Sequence, residues 1–382
     1  MVDIFITYNR QSKEISISFK PERRIVRVSY SSHFERERET KNADTFLRKL
    51  ESTSKGSAKL GRKGNKVASE KVNKRAYQSI QEYGERLFRI MVKGHDQRNI
   101  ASFDDLFGKI DKDFNLTLNL DSMTRKLPWE IARDSSWSLF EAYDVGRAVI
   151  APNKPLEETR SSNLRRALVV GLDYTWCDDE DSWLHSEKEA ELVGKRLHDK
   201  FGYSVKLLLG PEATIENVRN CLADGVDVFH FTGHGGYDRR APPGLQGSLI
   251  LYNSEDTESK DPLDNLTEGW LRWCFDKAER APWFVFLNAC ESAKEIYSSH
   301  MIDEFISYGT THIVGTMWSV YDQPSTDFVL GFYDQIAKEK TIGHAMTLTR
   351  SHFANERKNI EAATWPSFIL YGNPDSDFKH AR

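Results

Sequence analysis

With 382 residues, a formal net charge of −4 and a pI near 6.3, the chain is long for one ordinary domain and short for three; at roughly 150 residues per domain, about two are expected. A hydrophobic share of 39% that includes 12% aromatics argues against a disordered chain, which lacks the bulky groups that offset chain entropy. No apolar run approaches the roughly 20 residues that span a bilayer, and MVDIFITYNRQSKEISISF lacks the basic start and apolar core of a signal peptide, so a soluble cytoplasmic protein without membrane contact is expected.

Residues 1–32 alternate apolar and polar. Ile15, Ile17 and Phe19, then Ile25, Val26, Val28 and Tyr30, flank Lys20-Pro21-Glu22-Arg23 and predict strand, turn and strand. Residues 48–75 are rich in Lys and Arg, opposed only by Glu51 and Glu70, and Gly56, Gly61 and Gly64 interrupt any helix; the segment reads as an exposed basic linker. Contact with nucleic acid or an acidic partner is its second reading, weakened because no aromatic residue between Phe46 and Tyr77 is there to stack on bases. A helical pattern follows (Ala76, Ile80, Tyr83, Leu87, Ile90, Met91), then a strand over 115–121, a helix start at Pro128 and a strand over 143–150. The polar stretch 151–163, with Pro152 and Pro155, marks a boundary.

Beyond it the order becomes regular. Strands are predicted at 167–171, 203–209, 226–231, 283–287, 312–316 and 367–371. Helices are predicted at 185–200, 214–222 with Thr214 as N-cap, 266–280, 301–308, about 325–338 and 343–354. Short continuous apolar strands alternating with helices predict an α/β fold whose mostly parallel sheet is covered by helices on both faces. Ligands then sit beyond the carboxyl ends of the strands. The organisation expected is a β-hairpin with a basic linker over 1–75, of regulatory use, a first half over 76–160 and a second half over 161–382. No internal repeat of 20–50 residues is present, so the chain by itself is no solenoid.

The four cysteines are scattered, with no CxxC pair and no zinc spacing, and no metal or cofactor is expected. Cys221 and Cys274 fall in predicted helices and read as small buried hydrophobes; Cys177 lies in an acidic loop that blunts its reactivity. Cys290 differs. The strand ending at Leu287 runs into Asn288-Ala289-Cys290-Glu291-Ser292, and the strand ending at Phe231 runs into Thr232-Gly233-His234-Gly235-Gly236. Each places one reactive side chain just past a buried strand's carboxyl end, with the histidine 56 positions upstream of the cysteine, against about 50 in caspases. If the strands are neighbours, about 4.8 Å apart, the two side chains share one rim, and the helix predicted at 266–280 supplies the crossover that parallel neighbours need. His234 is then the general base and Cys290 the nucleophile. Gly233 and Gly235 permit a sharp turn and close approach, and the amides of Gly235 and Cys290 are candidate oxyanion donors.

HFTGHGG (230–236) and FLNACES (286–292) resemble the two catalytic blocks of CHAT domains, a branch of the caspase, separase and clostripain group. LPWEIARD (127–134), VVGTMWSVYD (313–322) and WPSFILYGNP (365–374) resemble the same family, over residues 80–375 in all. The resemblance implies a caspase-like fold whose first half is a degenerate caspase-like unit. It implies His234 and Cys290 as the dyad, with the oxyanion held by the Gly235 and Cys290 amides. It also implies a regulated cysteine endopeptidase acting on one protein partner, commonly in bacterial antiviral or cell-death systems, with an activating partner or sensor. Related peptidases that cut after Arg or Lys hold the basic side chain with an acid near the first strand or on neighbouring loops. Asp173 and Asp322 are candidates for that role, each with helix capping or surface pairing as its alternative. Trp318 is either a cleft wall or core. Glu189 and Glu191, on the helix at 185–200, read as a solvated or ion-paired face. The polar stretch 253–262 between the dyad strands is a candidate site of activating cleavage. A catalytically silent relative that binds a peptide or nucleotide at the same rim is the alternative function, and a hydrolase of non-peptide acyl groups a third.

Overall fold

The structure is a computed structural model. It describes residues 2–9, 14–21, 30–33, 41–43, 45–50, 66–92, 100–107, 115–121, 124–149, 165–180, 183–237, 240–242, 245–256, 262–276, 278, 280–290, 292, 301–338, 341–356 and 364–379. In chain order the elements are β1 (Val2–Asn9), β2 (Glu14–Pro21), β3 (Tyr30–His33), α1 (Lys66–Val92), α2 (Phe103–Phe107), β4 (Asn115–Leu120), α3 (Leu139–Ala142) and β5 (Asp144–Arg147). There follow β6 (Arg166–Gly171), α4 (Ser186–Phe201), β7 (Ser204–Leu209), α5 (Ile215–Ala223), β8 (Val228–Thr232), β9 (Gly235–Tyr237), β10 (Gly247–Tyr252), β11 (Leu263–Thr267) and α6 (Glu268–Phe275). The chain continues with β12 (Phe284–Asn288), α7 (Met301–Ser307), β13 (His312–Thr316), α8 (Asp322–Lys338), α9 (Ile342–Glu356) and β14 (Phe368–Tyr371). They form two compact units: Met1–Ala148 with Glu339–Pro366 and Gly372–Asp377, and Val149–Lys338 with Ser367–Tyr371 and Phe378–Arg382.

In the first unit β3, β2 and β1 pair antiparallel, β1 runs parallel to β4, and β4 parallel to β5. The N-terminal region therefore shares a sheet with the segment after residue 76. The alternation at Ile4 and Ile6, both fully buried, carries β1, a strand absent from the sequence prediction. Of the predicted second hairpin strand, Tyr30 lies in β3, opposite Ile17; residues 22–29 fall outside the described residues. The basic segment 48–75 is also not a linker throughout. Residues 45–50 are helical and α1 begins at Lys66, while 51–65 fall outside the described residues. No Gly or Pro stands between Gly64 and Gly84, so the helix extends upstream of its apolar stripe. Asn73, Ala76, Ile80, Tyr83, Leu87 and Met91 are buried, whereas Lys71, Lys74 and Arg75 face solvent. At Gly84 a Cβ would collide with the carbonyl of Ile131, and Gly84 O accepts from the Arg133 N–H at 3.0 Å. Pro128 precedes only a single 3₁₀ turn, Trp129–Ile131, whose Glu130 is buried against Arg147.

The second unit holds a sheet ordered β14-β13-β12-β8-β6-β7, parallel except for β14, which pairs antiparallel with β13. Every residue of β8, β12 and β13 is buried. Successive strand residues point to opposite faces, so both faces of this centre are covered. A small antiparallel sheet, β11-β10-β9, lies in sequence between β8 and α6. It shortens the predicted helix 266–280, because Leu263–Thr267 pairs with β10 and α6 starts only at Glu268. No helix among the described residues is long and apolar enough to cross a membrane.

Candidate active site

Strands β8 and β12 are parallel neighbours in register, Thr232 opposite Asn288. His234 and Cys290 each stand two residues past that pair, so the chain brings them to one end of adjoining strands. The junction continues beyond the sheet: the Gly233 N–H donates to Asn288 O at 3.2 Å. A Cβ on Gly235 would collide with the Cys290 carbonyl and stand 3.3 Å from the Cys290 nitrogen. Only glycine lets these two peptide units lie side by side.

Cys290 is half-buried, with Sγ 4.0 Å from the Val320 carbonyl oxygen. Its turn is fixed by hydroxyls. Thr316 Oγ1 donates to Ala289 O at 2.6 Å, Ser292 Oγ donates to Leu287 O at 3.1 Å, and Thr316 N–H donates to Ser292 Oγ at 3.0 Å. The other cysteines differ in surroundings. Burial pushes the Cys274 thiol up to about 12 and also raises Cys221, while Cys177 is a buried residue whose carbonyl accepts from Trp183 Nε1 at 3.0 Å.

His234 is held by a residue that sequence pattern does not single out. Tyr174 is fully buried and sits in the left-handed region at φ 59°. Its hydroxyl accepts from the His234 N–H at 2.9 Å and donates to Ile250 O at 2.7 Å. Its ring centroid lies 4.5 Å from that of the imidazole, tilted by 41°. The Ile250 N–H donates to His234 O at 3.0 Å, so both peptide groups of His234 are tied. Gly233 completes the fit, since a Cβ there would meet the Tyr174 hydroxyl at 2.7 Å. Burial raises the Tyr174 phenol well above its ordinary value, so it remains a neutral donor. Nothing in a lone tyrosine after a strand signals this role.

The two candidate acids each bind a residue at the start of α4. Asp173 Oδ1 accepts from the Glu187 N–H at 2.8 Å, and Glu187 Oε1 accepts from the Asp173 N–H at 3.3 Å. Asp322 Oδ2 accepts from the His185 N–H at 3.1 Å and faces His185 Nδ1 at 2.8 Å. Both thus satisfy backbone donors at a helix start, where the dipole favours negative charge. Burial, and then the charge of Asp173, raises the Glu187 carboxyl; burial also raises Asp322, partly offset by His185. Trp318 is fully buried two residues before Val320.

Glu191 is exposed and pairs with Lys188 at 3.0 Å, but Glu189 is no solvated face: its side chain is fully buried. The helical period explains the difference. Glu189 shares a buried stripe with Ser186, Ala190, Val193 and Leu197, a spacing visible in the sequence. Its oxygens meet Asn288, Thr326 and His230. The stretch 253–262 is described only in part, 257–261 falling outside the described residues. Among the described residues no group of three or more His, Cys, Asp or Glu could hold a metal ion.

A family model described as CHAT domain matches residues 81–373. No curated protein matches the chain significantly. Two crystal structures of the Saccharomyces cerevisiae separase–securin complex are similar, with TM-scores of 0.57 and 0.55 at 13% and 14% identity, covering 99% and 98% of this chain. The chain spans 30% of the length of each separase chain. The Arg-specific cysteine proteinase gingipain R is matched over 78% of this chain and 68% of its own, at 12% identity and a TM-score of 0.47. At such identities the likeness is one of fold, and the fold is the caspase-like α/β arrangement expected from the sequence.

Proposed function

The chain belongs to the CHAT domain family, and from that premise we propose that it is a cysteine endopeptidase in which His234 and Cys290 form the catalytic dyad. The observation that carries this reading is the register of Thr232 with Asn288, together with the close approach of the Gly235 and Cys290 peptides beyond it. His234 takes the thiol proton. The thiolate attacks the scissile carbonyl carbon, and the oxyanion that forms is met by the N–H groups of Gly235 and Cys290; one such donor is worth about 2.7–4 kcal/mol of barrier in well-studied enzymes. His234 then gives its proton to the departing amine, and water, deprotonated by His234, releases the acyl group.

Asp173 and Asp322 are the acids we assign to a basic substrate side chain beside the scissile bond. Asp173 adjoins Tyr174, the clamp on His234, and Asp322 follows Val320, the neighbour of Cys290. The separase structures contain a protein partner, securin. A regulated enzyme with one protein target and an activating partner, in a bacterial antiviral or cell-death setting, is the corresponding reading here.

Iodoacetamide labelling followed by peptide mass spectrometry tests the dyad without a known substrate. The expected result is fast, pH-sensitive alkylation of Cys290, abolished as a fast phase by His234→Ala, with Cys274 unlabelled at neutral pH. Cys290 alkylation at the rate of an ordinary exposed thiol, unchanged by His234→Ala, would falsify the peptidase reading and favour a binding protein.

A further inference from the structure

Glu189 is a buried carboxylate that the chemistry above does not use. Its side chain has no exposure, and it lies within hydrogen-bond reach of three other elements. Asn288 Nδ2, on β12, stands 3.0 and 2.8 Å from its two oxygens. Thr326 Oγ1, on α8, donates to Oε2 at 2.5 Å. His230 Nε2, on β8, stands 3.2 Å from Oε1, and His230 Nδ1 lies 3.3 Å from the Tyr333 hydroxyl. The two ring nitrogens of His230 thus bridge Glu189 and the Tyr333 hydroxyl, Nε2 facing the carboxylate. Asn288 Nδ2 also donates to Ser325 Oγ at 3.2 Å, so the carboxylate fixes which way that amide faces.

These contacts fall on the elements that matter. β8 leads to His234, β12 leads to Cys290, and α8 follows the segment whose Val320 carbonyl stands 4.0 Å from the thiol. We propose that Glu189 is a positioning residue: one carboxylate, acting through His230, Asn288 and Thr326, locks the imidazole strand, the thiol strand and α8 into a single register. The assignment rests on the cysteine peptidase reading. The physical reason for an acid is acceptor capacity. A carboxylate has about four lone-pair sites and no proton of its own, so it takes an amide, a hydroxyl and an imidazole at once. A glutamine has one oxygen, and its NH₂ group would face another donor.

A residue that merely fills space would yield to its near-isostere, with thermal midpoint and chemistry changing together. A positioning carboxylate separates the two. The test measures the pseudo-first-order rate of Cys290 alkylation by iodoacetamide from pH 6 to 9, beside the thermal unfolding midpoint of the same samples. Glu189→Gln is expected to slow alkylation about tenfold, since small misplacements of reacting groups carry large rate effects, and to move the pH–rate limb toward that of a free thiol. Thr326→Val should slow it in the same direction by less, and Thr326→Ser, which keeps the hydroxyl, should restore it. Glu189→Gln and Thr326→Val alkylating at the wild-type rate with the wild-type pH profile would overturn the assignment. So would slowing that merely tracks a loss of cooperative unfolding in both variants. A wild-type protein without His234-dependent alkylation is a distinct result, which removes the peptidase reading and this assignment with it.

Discussion

Each compact unit buries carboxylates, and one from each, Glu130 in the first and Glu189 in the second, is satisfied in a different way. In the first, Glu130 meets the Arg147 guanidinium through two contacts, Nε to Oε1 at 2.5 Å and Nη2 to Oε2 at 2.9 Å. Nη1 and Nη2 also donate to the carbonyls of Arg125 at 2.6 Å and Leu127 at 2.9 Å. The hydrogen-bonded partners of this ion pair sit in a short stretch of chain, and it fixes the loop after β4 to β5. In the second, Glu189 receives an amide, a hydroxyl and an imidazole drawn from three elements. A planar, permanently charged fork suits local closure; separate donors from three elements suit alignment of parts that must hold a common register. Glu130 holds a fold together, whereas Glu189 lies behind the strand tips where a dyad is assigned.

The sharpest way to break this contrast is to delete the assigned chemistry. Cys290→Ala and His234→Ala are each expected to lower turnover of a cleavable protein by about 10³–10⁴ or more, with the unfolding midpoint close to wild type. Turnover that survives either change would show that the chemistry lies elsewhere. The next largest effect belongs to the first unit. Arg147→Met takes from buried Glu130 the cation that hydrogen-bonds it, leaving only the charge of Arg350 nearby, and breaking a buried pair on one side costs about 3–5 kcal/mol. Urea unfolding should report that loss, while the pH profile of Cys290 alkylation in the folded protein stays unchanged. A shifted profile would mean that the first unit's ion pair also tunes the thiol.

The parts legible in the sequence are those set by local pattern. Continuous apolar runs locate β6, β8, β12 and β13, and the sharp Gly-rich turn after β8 marks His234. Thr214 is predicted to cap α5, and its hydroxyl accepts from the Asn217 N–H at 3.2 Å. What local pattern does not supply is pairing at a distance. The pairing of β1 with β4 joins residues more than a hundred apart, and β9–β11 form because Gly235 and Gly236 leave β8 in an extended conformation that β10 can join. Tyr174 is hidden for the same reason: its partners, His234 and Ile250, are remote in the chain. Glu189 is a different case, because its place on the buried stripe of α4 is readable from spacing, and its charge alone suggests solvent.

Tyr174 offers a smaller test within the second unit. Tyr174→Phe keeps the ring beside the imidazole but strips the hydroxyl from the His234 N–H and the Ile250 carbonyl, two groups that then lack this partner. An unmet buried hydrogen-bonding group costs about 1–3 kcal/mol. Cys290 alkylation at neutral pH should therefore slow by about tenfold, with the loss read from its pH–rate profile. An unaltered profile would reduce the hydroxyl to packing.

The smallest expected effect concerns Asp322, and its sign decides which force governs that site. Burial raises this carboxyl above its ordinary value, and His185 only partly counters it. A raised carboxyl favours the fold while protonated, so its contribution is present below the unfolded carboxylate value and is lost as pH rises through the folded one. An asparagine at this position never ionises. Asp322→Asn should therefore gain stability relative to wild type as pH rises from below the ordinary carboxylate value to neutrality, measured by urea midpoints at each pH. If the variant instead loses ground with rising pH, the tie to His185 outweighs desolvation and the acid is already satisfied. A gain means an acid held short of full compensation, which is the condition under which a basic substrate side chain adds binding by supplying the missing cation.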